Sequence, residues 1–436
     1  MTIHFKNLAL TPIFFILFCL TFTANAEPTS NREWKTKSGH KTTATALKVE
    51  NGKVHFKKPN GSVIKVKLDL LSEGDQEFLT KHFELKPAEK PDTAASTVSG
   101  SGAEPLTGLS QPQGKTVGPI DTGNGSTYYL YLPKSLKLNR PAPLLFYTHS
   151  GGGGKGQLIN SLRDAAETLG WVMAISVESS NQNPKREVHA INCMKHILKT
   201  WPVDKDRIHY SGNSGGAALA FQTSTKIRAY GVMPNVGYIP GTNQVKAKVV
   251  YGLGGGNDYN RYLTSFAAKK FKKDGFHRMN PGGHGASPAS YYEDGMLWMH
   301  CKFMKKGKSK HRDEAADFEA SIINWTNRIK KKNPMRAYSN ACVVRDIYEM
   351  SSANARILND IIKELEADQN NVLYHEGLLE IHKLSMKYFA PLGENGGSKK
   401  KHDHPKSRKA AEKLKEKYSG VKAILDVLNA MMKQTV

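Results

Sequence analysis

One stretch of this chain limits its fold more than any other. Arg207-Ile208-His209-Tyr210-Ser211 has the pattern of a short apolar and aromatic strand. Gly212-Asn213-Ser214-Gly215-Gly216 is a glycine-bracketed turn, and Ala217-Ala218-Leu219-Ala220 opens a small-residue helix. A serine on so sharp a strand-to-helix bend has strained dihedrals, and the backbone closes around it too tightly for Cβ atoms at 212 and 216. The bend lifts the Ser214 hydroxyl to a helix N-terminus, where unpaired N–H groups can face a developing oxyanion. By itself the pattern also fits a glycine-rich turn that only caps a helix, so the flanking sequence has to discriminate.

It does so from about Leu106 to Met304, where strands and helices alternate. Tyr128–Leu132, Leu144–Thr148, Trp171–Val177, Gly231–Met233 and Lys248–Leu253 read as strands. The segments containing Leu158, Leu162, Ala165, Ala166 and Leu169, then Val188, Ile191, Met194 and Ile197, then Phe266, Ala267 and Lys270 read as helices. Continuous apolar strands between helices imply an α/β domain with a mostly parallel sheet covered on both faces.

A serine nucleophile needs a base, and the base needs an orienting acid. The strand ending at Leu253 runs into Gly254-Gly255-Gly256-Asn257-Asp258, and Met279-Asn280-Pro281-Gly282-Gly283-His284-Gly285 follows a short strand at Phe276–Met279. Asp258 and His284 therefore follow Ser214 in the order acid, then histidine, each on a loop after a later strand. Upstream, Thr148-His149-Ser150-Gly151-Gly152-Gly153-Gly154 supplies a glycine run whose N–H groups can approach an oxyanion. The predicted roles are Ser214 as nucleophile, His284 as base and Asp258 as its orienter, with backbone N–H groups of Gly215 and of Ser150 or Gly151 at the oxyanion. Asp274 and Asp294 are rival acids. His149 reads as a loop-orienting residue, His209 as a strand residue and His277 as surface. No cofactor or metal is called for; His402 and His404 in a basic loop offer weak adventitious metal binding at most.

Ser214, Asp258, His284 and the 149–154 loop together resemble the α/β-hydrolase superfamily. Val203-Asp204-Lys205-Asp206-Arg207-Ile208 before the elbow is similar to the polyhydroxybutyrate depolymerase, feruloyl esterase and acetyl xylan esterase group. Ser150 stands where that group usually has a glycine. The resemblance implies a carboxylesterase-like serine hydrolase of class EC 3.1.1. Its substrates would be esters of a polysaccharide, phenolic acid or polyester. The short interval between Ser214 and Asp258 leaves little room for a lid and suits an open cleft.

The flanks are of other kinds. Residues 1–26, with Lys6, the apolar run Ile13–Leu20 and Ala24-Asn25-Ala26, have the layout of a cleaved export signal. The expectation is a secreted or periplasmic protein with no transmembrane segment after cleavage. Residues 27–84 form a β module: alternation around Thr43–Leu47, Lys53–Phe56 and Val63–Val66, a hairpin turn at Pro59-Asn60-Gly61, and a helix capped by Ser72. Arg32, Trp34, Asn60-Gly61 and Leu71-Ser72-Glu73-Gly74-Asp75-Gln76-Glu77-Phe78 resemble the first Sla homology domain, which implies a small SH3-like β-barrel and a protein-interaction role. Residues 85–105 read as a flexible linker.

Residues 305–436 are lysine-rich and helical, with three to five amphipathic helices. Their faces are Phe318, Ile322, Trp325 and Ile329; Ile357, Ile361 and Leu365; Leu378, Ile381 and Leu384; and Leu414, Tyr418, Val421, Leu425 and Leu428. Within them, Gly393 to Arg408 reads as a solvated, mobile insert. Without Cys19 the chain keeps Cys193, Cys301 and Cys342, an odd set without metal spacing, read as buried free thiols.

The formal net charge of +24 favours acidic partners, an anionic polysaccharide or cell-envelope polymer. No zinc-finger spacing or basic-aromatic RNA motif accompanies it, so no specific nucleic-acid role follows. Two rival readings remain open. One is a serine peptidase of the prolyl-oligopeptidase kind, although the stretch before residue 106 is too short for a propeller. The other is a non-catalytic adaptor working through the N-terminal module.

Overall fold

The computed structural model describes residues 28–36, 41–50, 53–83, 109–154, 156–237, 246–307, 311–394 and 405–433. The segments read as an export signal (1–26) and a linker (85–105) lie outside the described residues, as do His402 and His404. The chain divides into two compact units, 1–103 and 104–436.

In the first unit, β1 (Arg32–Lys35), β2 (Lys41–Glu50), β3 (Lys53–Lys57) and β4 (Val63–Lys67) form an antiparallel sheet in sequence order. After β4 the chain returns to β1: Leu71 bridges Thr36, and the Ser72 N–H donates to Lys35 O at 2.7 Å, closing the sheet on itself. Ser72 then caps α1 (Glu73–His82), accepting from the Asp75 N–H. The residues that carry the Sla-homology resemblance are structural. Trp34 is buried against Phe56, ring centroids 4.9 Å apart. Arg32 lies over Trp34 and Phe78 and pairs with Asp75 at 3.0 Å, and Asp75 also accepts from Ser72 Oγ and the Lys35 N–H.

The second unit has the α/β-hydrolase fold. Its strands are β5 (Thr116–Asp121), β6 (Thr127–Tyr131), β7 (Ala142–His149), β8 (Val172–Ser176), β9 (Val203–Asn213), β10 (Gly231–Asn235), β11 (Val249–Gly255) and β12 (Gly275–Asn280). Across the sheet they run β12-β11-β10-β9-β7-β8-β6-β5, with only β6 antiparallel to its neighbours. Strand residues alternate between two cores. Leu144, Phe146, Ile208, Tyr210, Val232 and Val250 face one; Leu145, Tyr147, Met173, Ile175, Met233 and Tyr251 face the other. The first is covered by α4 (Arg186–Thr200), α5 (Gly215–Lys226) and α6 (Arg261–Lys270). The second is covered by α2 (Gln157–Ser161), α3 (Arg163–Leu169) and α7 (Ala289–Gly307), then by α8 (Arg312–Lys330), α9 (Pro334–Ile347) and α10 (Ser352–Glu366). A third core gathers α11 (Gln369–Leu384), α13 (Pro405–Lys417) and α14 (Lys422–Met432) around Tyr262 and Met279. Between α11 and α13 lie a π-helical turn, Ser385–Phe389, and α12 (Ala390–Glu394). The helical extension is thus packed on the sheet as part of one unit.

Several expectations need correction. The edge strand β5 went unread because Gly118 and Pro119 interrupt its pattern, which only an edge tolerates. The helix read around Val188, Ile191, Met194 and Ile197 is α4, which buries Ala190, Cys193, Met194 and Ile197 and leaves Val188 exposed. On α10 the buried row is Leu358, Ile361, Ile362 and Leu365, with Ile357 exposed. The helices read at 158–169 and 414–428 are each two, and α9 was not foreseen. Gly393 is buried with its backbone against Tyr262, and Pro405–Arg408 opens α13, so the ends of the supposed mobile insert are helical. No helix of the described residues is long and apolar enough to cross a membrane.

Candidate active site

The bend after β9 is as tight as its glycines require. A Cβ on Gly212 would lie 2.4 Å from the Gly216 carbonyl, and one on Gly216 would lie 2.3 Å from Thr148 O on β7. Ser214 sits between them with φ 54° and ψ −119°, a conformation non-glycine residues rarely adopt, at the N-terminus of α5. Its N–H donates to Asn235 O at 2.9 Å, which ties the strained residue to β10. The next residue, Val236, is also at positive φ (45°). Its N–H donates to Leu253 O and its C=O accepts from Asn260 Nδ2, so a second outlier is clamped beside the first.

Ser214, His284 and Asp258 are brought into one hydrogen-bonded line. Ser214 Oγ lies 2.8 Å from His284 Nε2, and His284 Nδ1 lies 2.9 Å from Asp258 Oδ1. The line runs from solvent to interior: the His284 side chain is 33% exposed and that of Asp258 is 0% exposed. Burial raises the Asp258 carboxyl above its ordinary pKa, opposed by the Asn260 N–H and by His284. Tyr259, half exposed, stacks on the imidazole with centroids 4.9 Å apart and planes 14° off parallel.

Of the backbone N–H groups that the sequence offers as oxyanion donors, one is engaged elsewhere. His149 Nδ1 accepts the Gly151 N–H at 3.0 Å, so that predicted donor is engaged; Gly152 donates to His149 O. His149 therefore orients the loop, and burial lowers its pKa. The Asn181 N–H donates to Ser150 O at 2.8 Å. Among the described residues no hydrogen bond occupies the N–H of Ser150 or of Gly215, the two donors left. The Asn181 side chain lies directly against Gly215, held by Arg186.

A buried polar network that sequence reasoning missed ties the loops together. Asn235 Nδ2 donates to Asn213 Oδ1 and, at 2.9 Å, to Gly285 O; its Oδ1 accepts from Ser287 Oγ. Ser287 Oγ accepts in turn from Asn280 Nδ2, while Asn280 Oδ1 accepts the Gly282 N–H and the Asn257 N–H donates to Gly282 O. The residue before Ser214, the His284 loop and the Asp258 loop are thereby one hydrogen-bonded body. The available signal was that β9, β10 and β12 all end in asparagine: Asn213, Asn235 and Asn280.

The remaining candidates lie elsewhere. Asp274 pairs with Lys302 at 3.4 Å, and Asp294 with Arg336 at 2.8 Å. His209 stacks on Trp171 at 4.1 Å. His277, expected on the surface, is fully buried on β12, where its ring contacts Thr264 Oγ1 at 2.9 Å. Cys193, Cys301 and Cys342 are free and buried, and burial pushes the Cys193 thiol up to about 12. Beside the site, Tyr147, His149, Gly152, Leu158, Ile175 and Ala286 are among the residues that line an open cavity of about 520 Å³.

Residues 23–86 match the family model of SLA1 homology domain 1, a range that contains the first sheet and its helix. No curated protein matches the sequence. Among solved structures the chain is similar to Est1E from Butyrivibrio proteoclasticus, at 13% identity over 39% of this chain and 91% of that one, with a TM-score of 0.31. It is also similar to an esterase from the bacterial hormone-sensitive lipase family, at 12% identity over 45% and 86% with a TM-score of 0.34. A third is FphF, a fluorophosphonate-binding serine hydrolase of Staphylococcus aureus, at 10% identity over 40% and 92% with a TM-score of 0.31. The fold assignment itself rests on the strand order and helix layers described above.

Proposed function

We propose that the chain is an exported serine hydrolase that cleaves carboxylic esters through an acyl-enzyme. The observation that carries this reading is the unbroken line from Ser214 Oγ through His284 to buried Asp258, with the serine at the N-terminus of α5. Ser214 Oγ attacks the ester carbonyl carbon while its proton passes to His284 Nε2. Asp258 accepts from Nδ1–H, fixing the tautomer that leaves Nε2 free and stabilising the imidazolium that forms. The tetrahedral oxyanion faces the N–H groups of Gly215 and Ser150. As the C–O bond of the ester breaks, the alcohol leaves with the proton from His284, and water repeats the cycle on the acyl-serine.

The adjoining cavity, walled by Leu158, Ile175 and Tyr147 and open to solvent, suits one arm of a polysaccharide, phenolic or polyester substrate. Basic regions would hold the secreted or periplasmic enzyme at an anionic polysaccharide or envelope polymer, and the N-terminal module is the candidate for a protein partner.

The test is hydrolysis of p-nitrophenyl esters from acetate to octanoate, with acetylated xylan and methyl ferulate, by the native chain and Ser214→Ala. Turnover and fluorophosphonate labelling that both vanish in the variant support the reading. A native protein that neither turns over an ester nor takes the label refutes it.

A further inference from the structure

The first unit carries a sheet face that ester hydrolysis does not use. In the register of β2, β3 and β4, three cross-strand rungs point to one side: Glu50, Lys53 and Lys67; Lys48, His55 and Lys65; and Thr45, Lys57 and Val63. The other side supplies Val54, Phe56, Ala46, Ile64 and Val66 to the module's core. The outer side therefore displays five exposed lysines, Lys48, Lys53, Lys57, Lys65 and Lys67, against one carboxylate. That carboxylate, Glu50, pairs with Lys48 at 3.2 Å and lies 3.7 Å from His55 Nε2; no described carboxylate pairs with the other four lysines.

Two features make this more than a solvated face. Lys53 and Lys67 are direct cross-strand partners, and like charges so placed weaken a sheet unless something neutralises them. From strand spacing and rise, the five ammonium groups spring from a patch of about 10 by 13 Å, a density that condenses counterions and rewards their replacement by a polyanion.

The chemistry of the face selects among polyanions. It carries no Phe, Tyr or Trp ring for bases to stack on, its one imidazole, His55, is buried, and nothing apolar larger than Val63 is there to enter a bilayer. Lysine ammoniums act as point charges that suit spaced single anions better than the forked pairing arginine gives. We infer that the outer face of β2–β3–β4 binds a linear anionic polysaccharide through Lys48, Lys53, Lys57, Lys65 and Lys67. This deepens the retention part of the functional reading above and is independent of Ser214.

The experiment compares three forms of the full chain: native, Lys53→Gln/Lys65→Gln/Lys67→Gln, and a control with the same charge removed from α13, Lys406→Gln/Lys409→Gln/Lys413→Gln. Binding to polygalacturonate is measured by calorimetry at several salt concentrations, beside single-stranded DNA and phosphatidylserine vesicles. The module variant is expected to bind polygalacturonate about tenfold or more weakly with a flatter salt dependence, while the control keeps native affinity. The module variant should also keep or raise the native melting temperature, because like charges have been removed, and its turnover of p-nitrophenyl acetate should be unchanged. Equal weakening in the control would mean net charge alone, and tighter binding of DNA or vesicles than of polygalacturonate would mean the wrong partner; either overturns the inference. Loss of binding with intact turnover, and intact binding without turnover, separate its failure from that of the hydrolase reading.

Discussion

The tightest constraint in the elbow is the approach of Gly216 to β7, and its cost can be worked out. A Cβ at 216 would lie 2.3 Å from Thr148 O and 2.8 Å from His149 Cα, both backbone atoms of a buried strand. Carbon–oxygen contacts normally stop near 3.3 Å, so α5 and β7 must part by about 1 Å. Overpacking of this kind costs about 1–3 kcal/mol. The 2.7 Å bond from Thr148 Oγ1 to Gly216 O spans the same gap, and its loss adds about 1 kcal/mol. Gly216→Ala should therefore destabilise the second unit, residues 104–436, by about 3 kcal/mol and lower its melting temperature, followed by circular dichroism, by about 4 °C. Because the displacement passes through Ser214, turnover of p-nitrophenyl acetate at 20 °C should fall about a hundredfold. Gly215→Ala is the comparison. Its Cβ meets the end of the exposed Asn181 side chain, Oδ1 at 2.0 Å and Cγ and Nδ2 at 2.6 Å, which can swing away once its bond to Arg186 is given up, so stability should change by no more than about 0.5 kcal/mol. A Gly216→Ala protein that melts where the native one does, or a Gly215→Ala protein as unstable as Gly216→Ala, would refute this account of the motif.

Three further outcomes are expected. Asp258→Asn leaves the site's shape intact but favours the wrong His284 tautomer, so kcat should drop about 10³- to 10⁴-fold with KM nearly unchanged, whereas Asp274→Asn should leave kcat unaltered. Asn235→Ala deprives Asn213 Oδ1, Gly285 O and Ser287 Oγ of a partner at once; it should cost about 2–3 kcal/mol in urea denaturation and lower kcat more than it changes KM. Burial pushes His209 down to about 3, so the folded state refuses a proton that the unfolded chain accepts below about pH 6.5; this contribution is intact above that pH and is lost as pH falls toward 3. Denaturant titrations of His209→Phe should therefore show about 2 kcal/mol less destabilisation between pH 7 and 5 than the native chain, and an equal loss in both proteins would count against it.

The order of elements in the α/β unit was legible because its strands are apolar throughout and its helices are periodic. Errors fell where those signals are weakest. Ile357 was assigned to a packing face because apolar character alone cannot say which edge of a helix stripe meets the core. β5 was lost to a glycine and a proline that an edge strand admits. His277 looked like surface because it is polar, yet on β12 it alternates inward, where α6 and α11 meet it through Thr264 and His382. That inward turn could not be inferred without knowing that the helical extension packs on this end of the sheet.

The site divides along the same line. That Ser214, Asp258 and His284 meet could be expected from the sequence because each is constrained by local chemistry: a bracketed turn, a strand-end carboxylate and a glycine-lined histidine. The choice between Ser150 and Gly151 as the proposed oxyanion donor depends on where the His149 ring turns, and it turns to take the Gly151 N–H. The asparagines that hold the line together are through-space partners separated by up to dozens of residues, and no local pattern links them. They do share one position, the last residue of β9, β10 and β12. At that edge the strand hydrogen bonds stop while the backbone is still buried, so each strand end needs a side chain that can both donate and accept. Asparagine does so without a charge that would compete with Asp258 for His284. The Ser214–His284–Asp258 line is therefore anchored by the ends of the sheet rather than by the loops that display it, and a substitution at Asn235, which bonds to Gly285 O beside His284, should be felt at His284.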